Sequence, residues 1–201
     1  MDQNLLKAGF KKLYVAEILS IFAAFANSFG SSTFAIILSV VLIICSIVSY
    51  FMNLKGMKIC SQADQRFAQA YKLAIIGLIC SVIIAVVEGF VKEGTVQSIC
   101  SIVDNTIELA ITYVFLTAAV AVFAESNKTL STAATKAKEW MMYGWILFEV
   151  LNIISVILPK ENNTNVILPF IAIVVGLLAI VALIVAEINV FKFYKKAYQT
   201  L

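Results

Sequence analysis

ICSIVDNTIELAITYVFLTAAVAVFA, residues Ile99–Ala124, decides the fold class. At about 1.5 Å per residue, about 26 residues make a helix about 39 Å long, longer than the about 30 Å hydrocarbon core of a bilayer. The stretch lacks lysine, arginine, glycine and proline, and Asp104 and Glu108 are its only charges. It does not alternate apolar with polar residues, as a strand of a membrane barrel would. Only a helix satisfies its own backbone in lipid, so this segment reads as a transmembrane helix.

Five more runs of the same kind flank it: Leu13–Phe29, Phe34–Leu54, Leu73–Val91, Trp140–Leu158 and Val166–Phe191. Together they use most of the 201 residues, of which 62% are hydrophobic and 13% charged, with a mean hydropathy of +0.97. Soluble domains carry about 25% charged residues. The chain is therefore expected to be an all-α integral membrane protein of six transmembrane helices, one polytopic domain spanning 1–201.

Basic residues give the orientation, because lysine and arginine concentrate on the cytoplasmic side. Lys7, Lys11 and Lys12 precede the first run, and Lys55, Lys58, Arg66 and Lys72 separate the second from the third. Lys128, Lys136 and Lys138 separate the fourth from the fifth, and Lys192, Lys195 and Lys196 follow the sixth. Of the 15 basic residues only Lys92 and Lys160 fall on the other side. Both termini are expected in the cytoplasm, in a plasma or inner membrane. The first run also has features of a secretory signal, with a basic start and Ala24-Phe25-Ala26 as a cleavage-like triplet. Glu17 interrupts it, and its removal would leave five spans and spoil the charge alternation, so it is read as a span.

The outer connections are short, so their flanking helices are expected to pair antiparallel. The inner ones, 55–72 and 125–139, have helix-forming composition and are expected to extend spanning helices beyond the bilayer. Aromatic residues mark each inner boundary: Phe10 and Tyr14, Phe67 and Tyr71, Trp140 and Tyr143 at entries, and Tyr50-Phe51, Tyr113 and Phe115, and Phe191, Phe193 and Tyr194 at exits. Three repeated helical hairpins would account for this period of about 65 residues. Interfacial aromatics alone would account for it too.

Several chemistries fail on inventory. The chain has no histidine, and Cys45, Cys60, Cys80 and Cys100 form no C-x-x-C pair, so triads, zinc sites and thioredoxin-like motifs are excluded. No glycine-rich phosphate loop is present, and the net charge of +3 reflects topology, not a nucleic-acid face. An enzyme is not expected, and no cofactor or metal is implied. Asn162-Asn163-Thr164 forms a glycosylation sequon on an outer connection, weak evidence by itself.

What stands out is acid inside the spans. Half of the 12 acidic residues lie there: Glu17, Glu88, Asp104, Glu108, Glu149 and Glu187, with no basic residue at comparable depth. Each costs about 2.5–3.5 kcal/mol near a bilayer centre on insertion scales. Glu17, Glu88 and Glu187 lie within about two helical turns of a lysine and can snorkel to an interface, which makes them secondary candidates. Glu108 and Glu149 lie near the midplane. Asp104 and Glu108 are spaced i, i+4 and share a face with Ser101 and Thr112, and Glu149 shares a face with Asn152 and then Ser155.

Two polar faces on consecutive helices at matching depth are expected to meet, with Asp104, Glu108 and Glu149 as a proton- or cation-binding cluster supported by Asn152 and Thr112. A carboxyl held away from water favours its protonated form, and competition between proton and cation for it is the minimal chemistry of an exchanger. The structural alternative is that protonated acids only hydrogen-bond helices together. Tyr113, Trp145 and Phe148 lie nearby and could meet a lipophilic cation, or simply pack.

The first functional expectation is a small proton-coupled transporter for a cationic or neutral solute, working in the lipid bilayer. The second is a non-enzymatic binding or accessory subunit, in substrate capture, immunity or scaffolding, completed by a protein partner or a second copy of the chain.

Overall fold

A computed structural model describes residues 1–24, 33–91, 94–157 and 167–201. The described chain is helical: α1 (Gln3–Ala24), α2 (Thr33–Ala63), α3 (Ala68–Phe90), α4 (Gly94–Ser126), α5 (Lys128–Ile157) and α6 (Ile167–Thr200), with a 3-10 turn at Gln65–Phe67 before α3. No strand occurs among the described residues. Both inner connections are helical almost throughout: α2 continues to Ala63, and Asn127 alone separates α4 from α5.

Four stretches are long and apolar enough to cross a membrane: Leu38–Ala63, Gln65–Val87, Ile102–Ser126 and Ile173–Thr200. They carry the second, third, fourth and sixth predicted spans. The first and fifth fall on α1 and α5, and their far ends, 25–29 and 158, lie outside the described residues. Only a minor part of their apolar residues is buried inside the protein. Ile43, Ile44 and Ile47 on α2, Ile79, Val82 and Ile83 on α3 and Leu177, Ile180 and Val181 on α6 are exposed. Surfaces so apolar and so extensive require lipid around them, so the chain reads as a helical membrane protein.

The chain divides into two compact units, residues 1–72 with 191–201, and residues 73–190. The boundaries cut through α3 and α6 and do not follow three equal hairpins.

In the first unit α1 lies against α2 at two glycines. A methyl on Gly9 would sit 2.5 Å from Cys60 Sγ and 3.1 Å from the Gly56 carbonyl oxygen, and one on Gly56 would sit 2.8 Å from Leu13 Cγ. Only hydrogen fits, and the backbones approach as small residues allow in membrane helices. Further along, the buried Ser49 hydroxyl donates to the Ala16 carbonyl at 2.7 Å. The core is Leu6, Phe10, Leu13, Met57, Cys60, Phe67, Phe193 and Ala197. The Phe10 ring meets Phe193 edge-on at 5.4 Å and Phe67 at 6.2 Å, while Tyr14 lies 5.0 Å from Phe191 and 5.1 Å from Tyr198. Boundary aromatics of the sequence thus form one core here.

Asp64 ends α2. Its backbone is extended (φ −152°), and its carboxylate accepts from the Arg66 backbone N–H at 3.0 Å and from the guanidinium at 2.9 and 2.8 Å. These bonds hold the 3-10 turn that redirects the chain into α3.

In the second unit Asn127 makes the α4–α5 turn. Its N–H continues the α4 ladder to the Phe123 carbonyl at 2.9 Å, and its side-chain oxygen accepts from the Leu130 N–H at 3.1 Å. One residue therefore closes one helix and caps the next. Phe115, Leu116, Ala119, Val122 and Phe123 of α4 and Leu130, Ala134 and Ala137 of α5, on the two sides of this turn, are buried.

Candidate functional site

The carboxylates of the second unit are held from different helices. The Asp104 carboxylate accepts a hydrogen bond from the Ser81 hydroxyl on α3. The Glu149 carboxylate on α5 accepts from the Thr106 hydroxyl on α4 at 3.1 Å. Asp104 and Thr106 are two residues apart, about 200° around a helix, so α4 presents one polar side chain to each neighbour. Each pair gives its carboxylate a neutral donor, at the cost of one hydroxyl, which binds it without cancelling charge.

Glu108 is exposed. It lies within electrostatic reach of Asp104 and of Glu187 on α6. Asp104, Glu108 and Glu187 therefore share one electrostatic neighbourhood, while Glu149 is joined to α4 through Thr106. Among the described residues, no three His, Cys, Asp or Glu side chains form a group that could hold a metal ion.

Placement of the remaining expected residues is uneven. The Thr112 hydroxyl donates to the Glu108 backbone carbonyl at 3.1 Å, one turn back along its own helix, and not to a carboxylate. Glu187 is exposed on α6, and Glu17 is half-buried on α1 in the other unit. The side chains of Glu88, Ser101, Asn152 and Ser155 lie outside the described residues, as does the sequon at 162–164. Tyr113 carries the Lys138 ammonium 5.7 Å from its ring centre, an aromatic–cation contact within the chain. The Trp145 indole N–H, one turn from Glu149 on α5, is buried with no hydrogen-bond partner among the described residues.

Ser81 and Thr106, the hydroxyls that hold Asp104 and Glu149, do not stand out in the sequence. Ser81 is an isolated hydroxyl in an apolar run, and Thr106 lies off the face shared by Asp104 and Glu108. A signal existed for Ser81: a serine in α3 at about the depth of an acid in α4.

No protein-family model, no curated protein and no solved structure matches this chain.

Proposed function

We propose that the chain is a small proton-coupled membrane transporter whose exchange site is built from Asp104, Glu108 and Glu149, acting on a cationic solute. All six helices cross the bilayer in this reading, with both termini on the cytoplasmic side where the lysines collect. The observation that carries it is the pairing of Asp104 and Glu149 with hydroxyls, not with basic groups. A permanent lysine or arginine partner would lock a carboxylate in its charged form; a hydroxyl leaves it free to exchange proton for cation. No lysine or arginine occurs in 99–124, 140–158 or 166–191. Glu108, accessible and near two other acids, is the entry carboxylate of this scheme, and Glu149 the deeper one.

Reconstituted vesicles test it. With a pH-sensitive dye inside, an inward gradient of Na+, K+ or tetraphenylphosphonium should alkalinise the lumen for the cation that is carried. E149Q and E108Q should each lose most of that signal while remaining folded. If both variants exchange as well as the parent protein, the site assignment is wrong.

A further inference from the structure

Charge is divided unevenly between the two units. The first holds ten basic and three acidic residues, a net charge of +7, and the second five basic and nine acidic, a net charge of −4. The first unit also gathers its charges at one end. The Asp2 N–H donates to the Ala63 carbonyl at 3.3 Å, and Phe10 meets both Phe67 and Phe193. The start of α1, the end of α2, the 3-10 turn that opens α3 and the end of α6 therefore converge.

Nine of the ten basic residues there are exposed. Arg66 is paired with Asp64, but among the described residues no lysine of this unit forms an ion pair. None has an acid three or four positions away along its own helix. Instead Lys7 and Lys11, Lys55 and Lys58, and Lys192 and Lys195 stand side by side at i, i+3 or i, i+4, where like charges repel. Membrane orientation does not require so much uncompensated charge: residues 125–139 set three lysines beside Glu125 and Glu139.

The faces that carry these lysines identify the anion that compensates them. On α2, Val41, Ile44, Val48 and Phe51 are exposed along one face, and Lys55 and Lys58 continue it. On α6, Val181, Ile184 and Ile188 lead in the same way to Lys192 and Lys195. On α3 the order is reversed, as the chain direction is: Lys72 comes first, then Ile75, Ile79, Val82 and Val86. Three lipid-facing stripes thus end in lysine at the same end. Where the stripe lies against acyl chains, the ammonium groups that prolong it lie at the depth of the phosphates attached to those chains. A soluble anion or an acidic protein gives no reason for lysines to stand in register with lipid-facing residues.

We propose that the basic end of the first unit binds anionic phospholipid headgroups and enriches them in the lipid shell around α2, α3 and α6. It involves none of the carboxylates of the second unit and does not depend on the exchange reading.

Quenching of tryptophan by brominated lipid tests it. In a W140F/W145F background, F51W reports one turn from Lys55, and V41W reports from the same stripe about 15 Å farther along the helix. In vesicles of phosphatidylcholine and phosphatidylglycerol, with bromine on one lipid or the other, phosphatidylglycerol should be enriched several-fold at F51W and not at V41W. K55Q/K58Q should return F51W to the bulk ratio. Equal quenching by the two lipids at F51W, or the same enrichment at V41W, overturns the inference. Inorganic phosphate should lower the enrichment no more than sodium chloride of equal ionic strength does. If phosphate alone erases it, the ligand is a free anion and the lipid assignment falls. The parent protein gives a second reading without tryptophan changes. In mixed micelles phosphatidylglycerol should raise its melting temperature above that in phosphatidylcholine of the same chains, and K55Q/K58Q/K192Q/K195Q should lose the gain. Equal melting of the parent protein in both lipids also overturns the inference.

Discussion

Gly9 and Gly56 set the distance between α1 and α2, because a side chain at either has nowhere to go. G9A should lower stability by about 1–3 kcal/mol, the usual range for an overpacked core, read as thermal unfolding by circular dichroism in detergent. Adding C60A should recover part of the loss, since Cys60 Sγ is the nearest obstacle, but not all, since the Gly56 carbonyl remains 3.1 Å away. Asp64, between two stretches long and apolar enough to cross a membrane, is held below the usual carboxylate range chiefly by its side-chain hydrogen bond to Arg66, against a smaller opposing effect of burial. Its folded-state value is depressed, so its contribution is present above the ordinary carboxylate value of about 3.9 and fades as pH falls through the depressed one. Arg66 is 44% exposed, so solvent screens the pair and the effect is small. D64N should therefore unfold slightly more easily than the parent at pH 7, and the two melting curves should converge at strongly acid pH.

At the scale of elements, the α4–α5 turn rests on one side chain. N127A removes the cap on the Leu130 N–H and should cost about 1 kcal/mol. F10A empties the meeting point of Phe67, Phe193 and Tyr194 and should cost about 3–5 kcal/mol. Chemical unfolding of both variants in mixed micelles would rank them. Helix number and approximate extent were legible from the apolar runs, because length and hydropathy are local properties. The near-continuous helix through 125–139 was also legible, from its alanine-rich composition. Which side chain of α4 meets which neighbour was not. Asp104, Thr106 and Glu108 look like one polar segment in sequence, yet Ser81 takes the first and Glu149 the second. That assignment depends on how helices rotate against each other, which residues far apart in the chain decide. Likewise Asn127 is an ordinary asparagine until two helices are seen to meet at it.

For the whole molecule, charge and packing divide the functions. Exposed apolar faces on α2, α3 and α6 require lipid, while Asp104 and Glu149 are held by hydroxyls of neighbouring helices in the second unit. An accessory-subunit role would need a partner to complete the site, whereas an exchanger should show its chemistry in pure form. Proton release from the purified protein is therefore the most direct measurement. In weakly buffered detergent with a pH indicator, Na+, K+, tetramethylammonium and tetraphenylphosphonium are added in turn. At least one of them is expected to displace protons from the parent protein, and the E108Q/E149Q double variant is expected to release none. Absence of release with all four cations, or undiminished release from the double variant, would contradict it.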